Sequence, residues 1–147
     1  MAEALRPLNA LVYSLCTSLW DIAGEGSKAI TRQIGRELYE RLIKKGLDRS
    51  SLEKALESTD EALVEKLKVC RGVSSALRDD LIEVKVSKCI LLEACSMLRE
   101  SGIPPIFCPY ANVFLALIED VTGSSYEIKS IEKVSEDESL ITFKRIS

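Results

Sequence analysis

Histidine is missing altogether from these 147 residues. Its absence removes Ser-His-Asp and Cys-His nucleophilic catalysis, the HExxH zinc site and a proximal-histidine haem site together. Carboxylate, lysine and cysteine chemistry stay open, but no motif argues for any of them, so the expectation is a chain that is not an enzyme. Aromatic residues make up only 5% of the sequence, so a core must be built mostly from Leu, Ile, Val and Ala. Net charge is small, at -3, with acidic and basic residues interspersed. No basic stripe able to neutralise phosphates is present, which argues against a nucleic-acid partner.

Long apolar runs are lacking too. Pro7 to Trp20 is uncharged, but its 14 residues are too few to span a bilayer. Glu3 and the polar Asn9, Ser14, Thr17 and Ser18 do not suit a secretory leader. An amphipathic core helix suits the segment better, with Leu8, Leu11, Val12, Leu15 and Leu19 on one stripe. The five cysteines, Cys16, Cys70, Cys89, Cys95 and Cys108, are odd in number and never spaced C-x-x-C. That pattern points to free thiols in a reducing cytoplasm, with core filling as the default role of each.

What is present reads as one domain over 1–147, a length that can enclose one hydrophobic core. A second helix is expected from Ser27 to Lys45, with Ile30, Ile34, Leu38 and Leu42 on its inner face and Gly46 as its stop. Gly35 inside that helix costs about 1 kcal/mol relative to Ala, which close packing of another element would explain. Two capping boxes, Ser50-x-x-Glu53 and Ser58-x-x-Glu61, predict short helices over Leu52–Glu57 and Ala62–Cys70. Leu81 to Val86 alternates as a half-buried strand. A third long helix is expected over Lys88–Glu100, and a fourth from Cys108-Pro109 to Val121, with Pro109 at its first position. Tyr126–Val134 and Leu140–Ile146 form a closing hairpin around Ser135-Glu136-Asp137-Glu138. The class is α+β, a twisted antiparallel sheet packed against helices.

Cys108 is the most informative single residue. At a helix N-cap its thiol feels the positive end of the helix dipole; it can be a reactive thiol, an acylation site, a metal ligand or simply a cap. Cys89 and Cys95 are six apart on a predicted helix and so fall on different faces. Cys16 and Cys70 read as core. Trp20, Phe107, Tyr110 and Phe114 could wall an apolar pocket near the Pro-Pro-Ile-Phe-Cys-Pro-Tyr turn, and Glu132 is a pocket residue if its strand position is buried.

Taken in order, Gly26 and Gly35, Val84-x-Val86-x-x-Cys89, Cys108-Pro109-Tyr110, Thr122-Gly123, Glu132 and Phe143 resemble the four-vinyl reductase, or hydrocarbon-binding, domain. That family shares its fold with small subunits of the transport protein particle (TRAPP) and with haem-based nitric oxide sensors. The resemblance implies the ligand-binding-domain-in-NO-signalling-and-Golgi-transport type of fold, commonly dimeric. It implies a small hydrophobic ligand in an apolar cavity near Trp20, Cys89, Phe107, Cys108, Tyr110, Phe114 and Glu132. Some members bind zinc through cysteines and a glutamate; Cys108 and Glu132 match two such positions, but Ser135 and Ile141 replace the other two. No metal and no cofactor are therefore expected. The leading expectation is a non-catalytic sensor that forms a homodimer, and the alternative is a TRAPP-like tethering subunit acting through a dimer surface.

Overall fold

The computed structural model describes residues 2–104 and 108–147. It is α+β, with a four-stranded antiparallel sheet packed against helices. Helix α1 (Ala2–Ala23) runs through a tight turn into α2 (Ser27–Leu42). Helix α3 (Leu52–Glu61) follows, then strands β1 (Gly72–Arg78) and β2 (Leu81–Ser87). Helices α4 (Leu92–Glu100) and α5 (Pro109–Thr122) precede the last hairpin, β3 (Tyr126–Ser135) and β4 (Glu138–Arg145). The strand order is β1-β2-β4-β3, every neighbouring pair antiparallel.

Helix α5 is the centre of the molecule. Every residue from Ala111 to Ile118 is buried, which is what a helix apolar on all sides requires. One side meets the sheet residues Ile82, Val84, Ile131, Ile141 and Phe143 in a shared core. The other side is covered by α2, through the face that carries Thr31, Gly35 and Tyr39. A Cβ on Gly35 would lie 2.5 Å from the carbonyl carbon, oxygen and Cβ of Asn112, so the backbones approach as only glycine allows. Tyr39 donates a 2.6 Å hydrogen bond to Asp120 Oδ2, which also pairs with Arg49 at 3.1 Å. The Tyr39 bond is the largest influence holding the Asp120 carboxyl below its usual range, and Arg49 adds to it. Gly123 ends the helix at φ 70°, the left-handed conformation of a C′ glycine.

Two expected faces are corrected. The stripe Ile30, Ile34 and Leu42 points outward, each 40–45% exposed, because the close approach at Gly35 brings the neighbouring small-residue face against α5. In α1, Leu8, Leu11 and Leu15 are exposed while Asn9 and Cys16 are buried. Asn9 decides that rotation: its Oδ1 accepts from the Ala94 amide at 2.9 Å and its Nδ2 donates to the Ile90 carbonyl at 2.8 Å. It thereby satisfies an orphan amide at the start of α4 and fixes α1 to it.

Element boundaries shift for local reasons. Ser51, not Ser50, caps α3, its Oγ accepting from the Lys54 amide. The second capping box does not open a helix, because Ser58 lies within α3. That helix instead widens into a π turn over Ala62–Lys66, with the Leu67 amide bonded to the Ala62 carbonyl. The strand β1 had no clear sequence signal. Helix α4 begins at Leu92 rather than Lys88, because Lys88 takes φ 52° and its amide bonds to the Asp137 carbonyl.

Gly35→Ala should destabilise the protein by about 1–3 kcal/mol or more, since added bulk in a packed interface forces backbone movement; chemical denaturation measures it. A second expectation concerns Asp60, at the end of α3. Burial, with Glu57 nearby, pushes its carboxyl up to about 7, and its Oδ1 has no hydrogen-bond partner. The folded state therefore prefers the protonated acid. This stabilises the fold fully below the unfolded carboxyl value of about 4, and the benefit is lost as pH rises through 7. The melting temperature of Asp60→Asn should exceed that of the wild type increasingly between those limits, with the gap constant above them.

Candidate functional site

Four of the five cysteines converge. Cys70, Cys89, Cys95 and Cys108 line one small cavity of about 40 Å³, walled by Tyr110, Ala111, Phe114, Ile131, Ile141 and Val86 among others. Each arrives from a different element. Cys70 precedes β1, Cys89 sits in the turn before α4, Cys95 lies within α4, and Cys108 caps α5. Cys89 is held by accepting the Leu91 amide at 3.4 Å, and its turn is fixed by the Ile90 amide bonding to the Val69 carbonyl.

The electrostatics separate one thiol from the rest. Burial pushes Cys70 and Cys16 up to about 11, and Cys89 up to about 12. Cys95 is raised well above its ordinary value, chiefly because it donates a hydrogen bond to Cys108, with burial adding to this. Cys108 moves the other way, down to about 7. The bond received from Cys95 is the largest cause and outweighs burial. The Ala111 and Tyr110 amides and the Arg99 guanidinium add to it, although neither amide closes a capping hydrogen bond on the sulfur. Cys108 is thus the thiol of the cluster most readily ionised, and Cys95 the neighbour that most favours its anion.

Of the residues expected to form a site, Cys89, Cys108, Tyr110 and Phe114 line this cavity. Trp20 does not; it packs on a second cluster formed by Cys16, Leu98 and Ile103. Glu132 is exposed, on the face of β3 opposite Ile131. Phe107 lies outside the described residues. Sequence reasoning set aside two members, Cys70 and Cys95. Cys95 was separated from Cys89 on the assumption of one continuous helix, whereas Cys89 belongs to the preceding turn.

A larger cleft of about 660 Å³ adjoins the cavity and shares Cys70, Cys89 and Leu92 with it. Lys68 and Lys88 border the cleft, both at left-handed φ values of 54° and 52°, and such strained positions concentrate at functional sites. Among the described residues no helix is long and apolar enough to cross a membrane.

Fold and site together define an α+β domain with a cluster of free thiols, Cys70 and Cys108 buried and Cys89 and Cys95 half-buried. The chain belongs to the family described as "Putative rubredoxin C-terminal domain", whose model matches residues 8–147. It is also 29% identical over 143 residues to a "Putative rubredoxin" of Methanothermobacter thermautotrophicus, a match covering 96% of this chain and 73% of that protein. These findings overturn the resemblance to the four-vinyl reductase domain, and with it the hydrocarbon-binding sensor and the TRAPP-like tethering subunit. The motifs behind that resemblance are general structural devices. Gly35 permits a helix crossing, Cys108-Pro109 starts a helix, and Thr122-Gly123 ends one.

The family's name raises the question of iron. Iron–sulfur sites use cysteine thiolates, so the four sulfurs are of the right chemical type. Their placement does not fit. Among the described residues no group of three or more His, Cys, Asp or Glu side chains could hold a metal ion.

Cys95→Ala should release Cys108 from its main stabilising contact. Ultraviolet absorbance of the thiolate, followed through a pH titration, should show the step near 7 moving to higher pH. An unmoved step would mean that the amides and Arg99 alone set it.

Proposed function

We propose that this chain is a partner domain in rubredoxin-type electron transfer that carries no iron centre of its own and performs no catalytic turnover. One coincidence supports the reading. A rubredoxin-associated family matches residues 8–147, in a chain whose cysteines follow no C-x-x-C spacing and, among the described residues, do not gather as a metal-holding group. In such a role the domain docks and orients a rubredoxin, while iron does the electron transfer elsewhere. Five free thiols suit a reducing cytoplasm as its location. Electron-transfer encounters use small, weak interfaces, so titration with a separately purified, iron-loaded rubredoxin should give a fast-exchanging complex visible by nuclear magnetic resonance. Absence of any shift at millimolar concentrations would remove this reading.

We propose also that the chain forms a homodimer. The support is the apolar side chains left exposed on two consecutive helices: Leu11 and Leu15 of α1 are 57% and 55% exposed, and Ile30, Ile34 and Leu42 of α2 are 40–45% exposed. Exposed apolar side chains repeated along a helix, as Leu11 and Leu15 or Ile30 and Ile34 are, suit an association surface. Sedimentation should show a dimer that Leu15→Glu combined with Ile34→Glu converts to a folded monomer. A wild-type monomer at high concentration would count against it.

A further inference from the structure

Four thiols around a cavity of about 40 Å³ are an unusual lining. Cys95 and Cys108 both line it, each shifts the ionisation of the other, and only 12 residues, numbers 96–107, separate them in sequence. The cavity has room for a molecule the size of one to a few waters. A neighbouring cleft of about 660 Å³ shares Cys70, Cys89 and Leu92 with it. The half-buried Arg99, whose Nη2 is 3.4 Å from the Ile131 carbonyl oxygen, places a fixed positive charge near the pair.

We propose that Cys95 and Cys108 are a peroxide-reactive dithiol, with Cys108 as the attacking sulfur and Cys95 as the resolving one. The Cys108 thiolate attacks one oxygen of hydrogen peroxide; the O–O bond breaks, Cys108 becomes a sulfenic acid and hydroxide leaves. The Cys95 sulfur then attacks the Cys108 sulfur, its proton leaves with the sulfenic hydroxyl as water, and the Cys95–Cys108 disulfide forms. Peroxide is the two-electron oxidant and the dithiol is oxidised. Two low-molecular-weight thiols reverse the change, becoming a disulfide themselves as Cys95 and Cys108 regain their protons.

The division of roles follows from the surroundings. Cys108 has the lowered thiol pKa and sits at the N-terminus of α5, where a thiolate is favoured. Cys95 lines the same small cavity and is raised chiefly by its interaction with Cys108, which makes it the resolving sulfur. Cys89 lies in the same cavity but is engaged with the Leu91 amide. A cavity of this size excludes bulky oxidants and admits peroxide. The inference stands on the cavity and does not depend on the electron-transfer reading.

The test treats folded, fully reduced protein with one equivalent of hydrogen peroxide, blocks the remaining thiols, and maps linkages by mass spectrometry. The expected product has lost two hydrogen atoms, about 2 Da, with Cys95 joined to Cys108 and three thiols still blockable. In Cys95→Ser, a sulfenic acid trapped at Cys108 should replace the linkage; Cys70→Ser should keep it. The wild-type map needs no variant. Linkage of Cys108 to Cys89 or Cys70, or five thiols left intact until the protein is unfolded, would overturn the proposal.

Discussion

The close contact between Gly35 and Asn112 is the constraint on which the rest depends. Helix α5 is buried along eight consecutive residues and so needs cover on the side away from the sheet. A second helix gives that cover only if it can lie close, and a glycine at the crossing permits it. Once α2 lies on its Gly35 face, the direction of its Ile30–Ile34 stripe is decided, and so is the link from Tyr39 to Asp120 near the far end of α5. The N-terminal end of α5 then brings Cys108 to the cavity that Cys95 of α4 also lines. The thiol cluster is thus a consequence of how the central helix is packed.

Low polarity around that cluster gives it its chemical character. Burial alone keeps a thiol neutral, and it is the leading cause at Cys70 and Cys89. Only where one thiol can donate to another, with amides and an arginine in support, does an anion become favourable. Among the described residues the sulfurs do not gather as a metal-holding group. Family membership and the cysteines therefore carry different messages: the first associates the chain with rubredoxins, while the second describes thiol chemistry of the chain's own.

Much of the fold was legible in the sequence because strong local signals agree with the final packing. Pro109 at a helix start, Gly123 after its end and the alternation from Leu81 to Val86 all keep their meaning in the structure. The strand β1 was missed because Ser74, Ser75 and Ala76 offer little alternation, and as an edge strand it buries little. The inner face of α2 was misassigned because hydrophobicity pointed to the isoleucines, whereas the tightest contact uses Thr31, Gly35 and Tyr39. The candidate site was half legible. Cys108 could be singled out from its cap position, but its pairing with Cys95 depends on where α4 begins, and Lys88 at positive φ moves that start. The family resemblance failed for a related reason, since glycines and caps report backbone geometry that many folds share.

The most direct measurement is native mass spectrometry with metal analysis on protein isolated without oxygen, from cells supplied with iron. The account predicts a chain free of stoichiometric metal, with five thiols that can be titrated after unfolding. One iron or zinc per chain, retained in the folded protein and released on unfolding, would contradict it and make the four cavity cysteines a metal site.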